Sequence, residues 1–481
     1  MTTSESASSP AAAPSTPSAA GTPSGRRLRV AVVGAGPAGF YTVEALVKQK
    51  ERPASVDLFE RLPAPYGLVR YGVAPDHQKI KSVTVAYDKL GARPDVRYFG
   101  NVSIGHGAIS VEDLFDHYDH VVFTVGCETD RRLGIPGEDL EGSHAATSFV
   151  AWYNGHPDFA DYRADLRTER AAIVGIGDVA MDLSRLLVRP YADLRRTDMA
   201  NAALAAFAES RVREIVVLAR RGPAQAAFAA KELEDIVELP GVHVSVDREH
   251  VRADLAACEA DHQTPHHGLL KRKLEFLAHL AEKEPKPGDK RVVLRFFASP
   301  VRLHGEAGRV TGIEIERNQL VTDERGRTSA RGTGVFETLP VGLVFRSVGY
   351  RGVPIPGLPF DDGAGIVPNA DGRVLRNGHP WPNVYVAGWI KRGPSGVIGT
   401  NKSDAAHTVQ KMLEDAPALD GTPEKSGEGI VDVLRERGIH FVTYPDWKAL
   451  DAIEVERGKA SGKVREKLVR VPEMLGALGP R

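Results

Sequence analysis

Leu28-Arg29-Val30-Ala31-Val32-Val33-Gly34-Ala35-Gly36-Pro37-Ala38-Gly39 is the stretch that decides the fold. A short apolar run ends in three glycines spaced G-x-G-x-x-G, and a helical stretch from near Phe40 to Lys48 follows. Val56-Asp57-Leu58-Phe59-Glu60 then reads as a second strand, which completes a strand–turn–helix–strand unit. In such a turn the first glycine makes the tight bend. The second lets the backbone approach a pyrophosphate, and the third lets helix and strand pack closely. An anion placed there meets free N–H groups and the positive end of the helix dipole.

One glycine turn of this kind is weak evidence, but the pattern recurs. Ala171-Ala172-Ile173-Val174 is a strand, Gly175-Ile176-Gly177-Asp178-Val179-Ala180 the turn, and Met181 to Val188 a helix. Glu214-Ile215-Val216-Val217-Leu218-Ala219 is the next strand. The residues that follow each second strand separate the two ligands. Glu60 lies 21 residues after Gly39 and would accept hydrogen bonds from ribose hydroxyls, which suits FAD or NAD. Arg220-Arg221 closes the second unit, and two guanidinium groups there suit a 2′-phosphate. The first site is therefore expected to take FAD and the second NADP(H). A solvated arginine pair and an ordinary surface glutamate are the bland alternatives.

The expected fold class is α/β, with two Rossmann-like, three-layer nucleotide-binding domains. The 481 residues are too many for one ordinary core. Residues 1–25 are Ser, Ala, Pro and Thr with little else; they read as disordered, with neither a secretory nor a transit signal. The expected division is 26–126 for the first part of the FAD domain, 127–344 for the NADP domain, and 345–481 for the rest of the FAD domain with a C-terminal tail on its surface. A formal net charge of -1 gives no sign of a nucleic-acid partner. No apolar run is long enough for a bilayer, so no membrane association is expected. Cys127 and Cys258 form no CxxC pair and no disulfide scaffold, which fits a cytoplasmic protein. No metal site is read from the sequence. Without heptads or a long apolar helix face, a monomer is expected.

Several longer blocks carry a resemblance. They are Pro65-Tyr66-Gly67-Leu68-Val69-Arg70-Tyr71-Gly72-Val73-Ala74-Pro75-Asp76-His77, Asp130-Arg131-Arg132-Leu133-Gly134-Ile135-Pro136-Gly137-Glu138, Arg196-Thr197-Asp198-Met199-Ala200, and Gly388-Trp389-Ile390-Lys391-Arg392-Gly393-Pro394-Ser395-Gly396-Val397-Ile398-Gly399-Thr400-Asn401. With them the chain resembles the adrenodoxin-reductase type of ferredoxin–NADP reductase. That resemblance implies an NADP domain inserted within the FAD domain. It assigns flavin contacts to the turn of Gly34, Gly36, Ala38 and Gly39, to Glu60, Leu68 and Ile104, and to Gly388, Trp389, Gly396, Val397 and Ile398. It assigns NADP contacts to Arg131, Ile176, Gly177, Asp178, Val179, Arg220, Arg221, Glu232 and Gly396. Two positions depart from the family: Asp178 stands where Asn is usual, and Asp235 where Glu is usual. A carboxylate at Asp178 should weaken NADPH binding unless it turns away.

The resemblance also implies a reaction: hydride passes from NADPH to FAD, and single electrons go on to a ferredoxin-type iron–sulfur protein. His77, Asp182 and Asp235 are the polar groups expected beside the reacting rings. Gly396 would let the rings approach, Trp389 would wall the site, and the N–H groups of Val397 and Ile398 would face the flavin. Each also has a plain structural reading as core or solvated surface. Lys271-Arg272-Lys273, on a helix expected from about residue 268 to 280, is the candidate face for the acidic partner. Relatives with a dithiol are excluded by the cysteine count. An electron-input subunit like the glutamate synthase small subunit, and an NADPH-binding sensor without turnover, remain as alternatives.

Overall fold

The computed structural model describes residues 25–107, 109–260, 267–325 and 327–479. The expectation for residues 1–24 lies outside the described residues. The chain first lays down β1 (Leu28–Val33), helix α1 (Pro37–Lys48), β2 (Ala54–Phe59), β3 (Val96–Phe99) and β4 (His120–Phe123). Apart from Arg29, β1 is built from β-branched and aliphatic residues, and those five are buried. Such a strand needs cover on both faces, which is the condition of a parallel sheet between helix layers. β1 pairs in parallel with both β2 and β4.

The chain then leaves this sheet and builds a second one. Its strands are β5 (Ser143–Ala145), β6 (Arg170–Val174), β7 (Glu214–Leu218), β8 (Val242–Val246) and β9 (Lys290–Arg295). Helix α2 (Asp178–Val188) follows β6, and helices α3 (Ala230–Val237) and α4 (His267–Ala281) lie between β7 and β9. A three-stranded antiparallel sheet comes next, made of β10 (Ala298–Glu306), β11 (Arg309–Thr322) and β12 (Thr328–Pro340). β13 (Leu343–Arg346) closes the second sheet, whose order is β5-β13-β6-β7-β9-β8 with every pairing parallel. β13 carries residues 345 and 346, so these two stay with the second sheet.

The chain returns to the first sheet with β14 (Asn369–Ala370), β15 (Arg373–Arg376) and β16 (His379–Val386), giving the order β14-β15-β16-β4-β1-β2-β3. β16 lies parallel to β4 although more than half of the chain separates them. The second sheet is thus inserted into the first. Both crossings between the two units run through one antiparallel ribbon, Thr129–Asp130 against Tyr350–Arg351.

The C-terminal tail does more than cover a surface, which corrects the sequence expectation. Helix α5 (Tyr444–Ser461) places Trp447 and Leu450, each 1% exposed, in the core of the first unit. Beyond it, Lys463 donates to the Met199 carbonyl and to Asn201 Oδ1 (2.8 and 2.7 Å), and Lys467 donates to the Asn154 carbonyl (2.9 Å). The tail is therefore a strap across both units. The helix holds there because Glu454 forms a buried bidentate pair with Arg70.

Candidate active site between the two glycine turns

Gly34 has a φ of +107° and Gly175 a φ of +114°, a region that L side chains rarely occupy. A side chain at Gly39 would run into the carbonyl oxygen of Gly34, so α1 sits on β1 only because that position is bare. A Cβ at Gly177 would meet nothing within 4 Å, which leaves open space over the N-terminus of α2. Ile176 and Val179 pack on the core of the second unit. Each turn thus presents backbone N–H groups at a helix start, with room for a phosphate.

Glu60 borders a cavity of about 190 Å³ with Gly34, Val102, Ile104, Gly126 and Pro354 among its lining residues. Its carboxylate accepts from the N–H groups of Ala35 (3.0 Å) and Leu62 (3.2 Å), while burial pushes its pKa up. Leu68 begins a short helix after Gly67, whose own Cβ would stand 3.0 Å from Gly36 Cα. The distant Gly388 closes on the same turn: with φ of +80°, a Cβ there would lie 2.5 Å from Ala38 Cβ.

Trp389 lies 5.4 Å from Tyr350, ring centre to ring centre, and its indole N–H donates to the Ser395 carbonyl (3.1 Å). The loop beyond it is open, with Val397 66% exposed. Gly396 is left-handed (φ +76°), which turns the chain back so that Thr400 Oγ1 accepts from Val397 N–H at 3.1 Å. The Val397 N–H is therefore committed to that hydroxyl, a correction to its expected direction. Ile398 packs on the core of the first unit.

In the second unit, Arg220 is exposed and Arg221 half-buried at the end of β7. Their carbonyls accept from Asn318 Nδ2 (2.9 Å) and Phe297 N–H (3.1 Å). Neither guanidinium carries an ion pair among the described residues. Arg131 is exposed just after the Thr129–Asp130 strand of the ribbon between the units. Asp178 opens α2 and turns its carboxylate toward the loop before α3, where Oδ1 accepts from Ala229 N–H at 2.8 Å.

His77, Asp182 and Asp235 come together from three segments. His77 caps the short helix Gln78–Lys81, Asp182 is on the second turn of α2, and Asp235 is on α3. His77 Nδ1 lies 3.7 Å from Asp182 Oδ1, and His77 Nε2 lies 3.5 Å from Asp235 Oδ2. Glu232, expected as a cofactor contact, belongs to the same cluster: Oε2 is 4.0 Å from His77 Nε2 and 3.1 Å from Arg185 Nη1. Burial, and after it the neighbouring Asp182, push the Glu232 carboxyl up to about 7. Burial also raises Asp182 against the opposing pull of Arg185.

Three residues at the centre of the cluster escaped the sequence reading. Arg185, with its side chain 1% exposed, donates to Asp76 through Nε (2.7 Å) and Nη2 (3.0 Å). Arg189 reaches the same carboxylate at 2.8 Å. Arg185 is three residues after Asp182 on one helix face, so spacing carried a signal for that pair, whereas Asp76 lies 109 residues from Arg185 and had none.

The proposed docking run does not share one exposed face. α4 buries Leu274, Leu277 and Leu280, which turns Lys273 inward. Lys273 donates to the Ala226 carbonyl (2.6 Å) and lies over the Phe228 ring. Lys271 is 3.3 Å from Glu259, and Arg272 alone of the three is exposed. Cys127 and Cys258 are both buried free thiols, and burial pushes Cys127 up to about 12. No helix is long and apolar enough to cross a membrane among the described residues.

Two dinucleotide folds, one inserted in the other and facing each other across a polar cluster, define a pyridine-nucleotide oxidoreductase. The model of the pyridine nucleotide-disulphide oxidoreductase family matches residues 28–336. The chain belongs to that family, and within it to the adrenodoxin-reductase type of ferredoxin–NADP reductase. It is 43% identical to the NADPH-ferredoxin reductase FprA of Mycobacterium tuberculosis, over 94% of this chain and 99% of the relative. It is 39% identical to the human mitochondrial NADPH:adrenodoxin oxidoreductase, over 94% of this chain and 92% of the relative. A solved structure of Mycobacterium tuberculosis FprA in complex with NADPH superposes with a TM-score of 0.89 at 41% identity, covering 94% of this chain and all of that one.

Proposed function

We propose that this chain is an FAD-dependent ferredoxin–NADP(+) reductase, which accepts hydride from NADPH and delivers single electrons to a ferredoxin-type iron–sulfur protein. The observation that carries the reading is the pairing of two built glycine turns with opposite neighbours, Glu60 beside one and Arg220-Arg221 beside the other. The first sheet and its returning strands hold FAD, and the inserted unit holds NADP(H). FAD, when bound, supplies the exchange between a two-electron hydride and single electrons.

The chain's own residues bind and orient. Gly34, Gly36, Ala38 and Gly39 hold a pyrophosphate at α1, Glu60 takes ribose hydroxyls, and Ile104 lines the adenosine slot. Leu68, Gly388, Trp389, Gly396, Val397 and Ile398 frame the ring end. Ile176, Gly177, Asp178 and Val179 cradle the second pyrophosphate, with Arg131, Arg220 and Arg221 on the phosphates. His77, Asp182, Glu232 and Asp235 surround the nicotinamide end and keep it in a partly dry, charged setting. The partner docks near the open Gly396–Val397 loop, with Arg272 as a steering charge. The protein works as a monomer, and its two free thiols suit the cytoplasm.

The test is cytochrome c reduction by the flavin-loaded protein with NADPH, with and without a panel of ferredoxins. Ferredoxin-dependent turnover that prefers NADPH to NADH is expected. Full cofactor reduction with no transfer to any ferredoxin would favour an electron-input subunit, and no reduction at all a sensor.

A further inference from the structure

The nicotinamide-end cluster is over-supplied with negative charge. Asp76 comes from the loop before His77; Asp178, Asp182, Arg185 and Arg189 come from α2 and its end; Lys231, Glu232 and Asp235 come from α3. Five carboxylates thus face three permanent cations and one histidine. The cations are also unevenly spent. Asp76 takes Arg189 and two nitrogens of Arg185. Lys231 bonds Asp235 at 2.6 Å, but its side chain is 63% exposed and screened by water. Asp182 and Glu232 are left sharing what remains of Arg185 while only 16% exposed. His77, Glu232 and Asp235 each offer a donor atom within 4.8 Å of the others, an arrangement open to a positive guest.

Loss of a hydride turns a neutral dihydronicotinamide into a ring carrying one positive charge. We propose that the Asp182–Glu232–Asp235 carboxylates select the oxidation state of the nicotinamide, binding NADP+ more tightly than a neutral-ring form and so biasing hydride transfer away from NADPH. This rests on the reading of the inserted unit as the NADP(H) site. The carboxylates act as positioning charges: they touch no transferred atom but lower the energy of the charge that develops as hydride leaves. Because burial and Asp182 hold the Glu232 proton near neutrality, a cationic ring also displaces that proton, and the preference grows with pH.

The experiment compares NADP+ with tetrahydro-NADP, whose ring is neutral and holds no transferable hydride. Both are titrated into the oxidised, flavin-loaded protein by calorimetry and flavin difference spectra at about pH 6 and about pH 8. NADP+ should bind about ten-fold tighter at the higher pH, with a smaller gap at the lower pH and proton release on binding. Glu232→Gln should narrow the gap several-fold and flatten its pH dependence, and Asp182→Asn should act in the same direction, both read as the ratio of the two dissociation constants. Equal affinities in the parent protein, or a gap untouched by both variants, would overturn the proposal while leaving the NADP(H) site standing. Failure of both ligands to bind would remove the site and the proposal together.

Discussion

At the scale of single residues, Asp178 and Glu232 carry the sharpest expectations. Asp178 gives one oxygen to Ala229 N–H, a role the carbonyl of an asparagine would keep without its charge. The turned carboxylate still stands in the first turn of α2, so Asp178→Asn should lower the dissociation constant for NADP+ about five-fold, since a partly screened charge near a phosphate costs on the order of 1 kcal/mol. An unchanged constant in an equilibrium titration would show that the carboxylate is already out of range. Glu232 is held near 7 in the folded chain against an ordinary carboxylate value of 4.5 in the unfolded one. The folded state thus binds the extra proton between these values, and stability is lost as pH rises through about 7. Glu232→Gln should gain about 1–3 kcal/mol relative to the parent at alkaline pH and little at acid pH, read as the difference in Tm at the two extremes. What was legible at this scale was local pattern: Glu60 and the Arg220-Arg221 pair follow directly from strand and spacing. The Asp76–Arg185–Arg189 knot was not, because it joins groups 109 and 113 residues apart that only the fold brings together.

At the scale of elements, the first glycine turn tests how helix α1 is seated. A methyl group at Gly39 meets the Gly34 carbonyl, a backbone atom that cannot step aside. Gly39→Ala should push α1 off β1 and leave the purified protein with markedly less bound flavin at similar secondary-structure content. An unchanged ratio of flavin to protein absorbance would show that the helix has slack. Periodicity exposed this turn and its copy because both sit between a buried strand and a helix. Periodicity was poorer guidance for α4, where three lysine and arginine letters in a row read as one basic face. The leucines at 274, 277 and 280 fix which side meets the core, and that geometry turns Lys273 inward to Ala226. Charge runs mark a helix, but its buried stripe decides which charges a partner can reach.

At the scale of the whole molecule, the two units are tied by a buried charge bridge. Asp198 of the inserted unit accepts from Lys81 of the first unit (2.7 Å) and is 2.9 Å from Lys467 of the tail. Burial works against both lysines and pushes their pKa values down, with Asp198 opposing. Asp198→Asn would leave two buried ammonium groups without a counter-charge, at a cost of about 3–5 kcal/mol. A fall in Tm of several degrees is expected, together with slower hydride transfer as the two units lose their set distance. A variant with the parent's Tm would mean that the bridge contributes little. The inserted topology was legible through the family resemblance, but the strap was not. Its charged residues look like solvated surface until Glu454 and Lys467 are placed against Arg70 and Asp198.

Two different dinucleotides are expected to bring their reactive rings together across the junction of the two units. One anaerobic stopped-flow experiment on the purified protein tests it most directly, following the flavin band at about 450 nm after mixing with NADPH or NADH. A yellow protein that bleaches rapidly with NADPH and far more slowly with NADH is expected. A colourless protein that cannot be loaded with FAD, or equal rates with the two nucleotides, would contradict it.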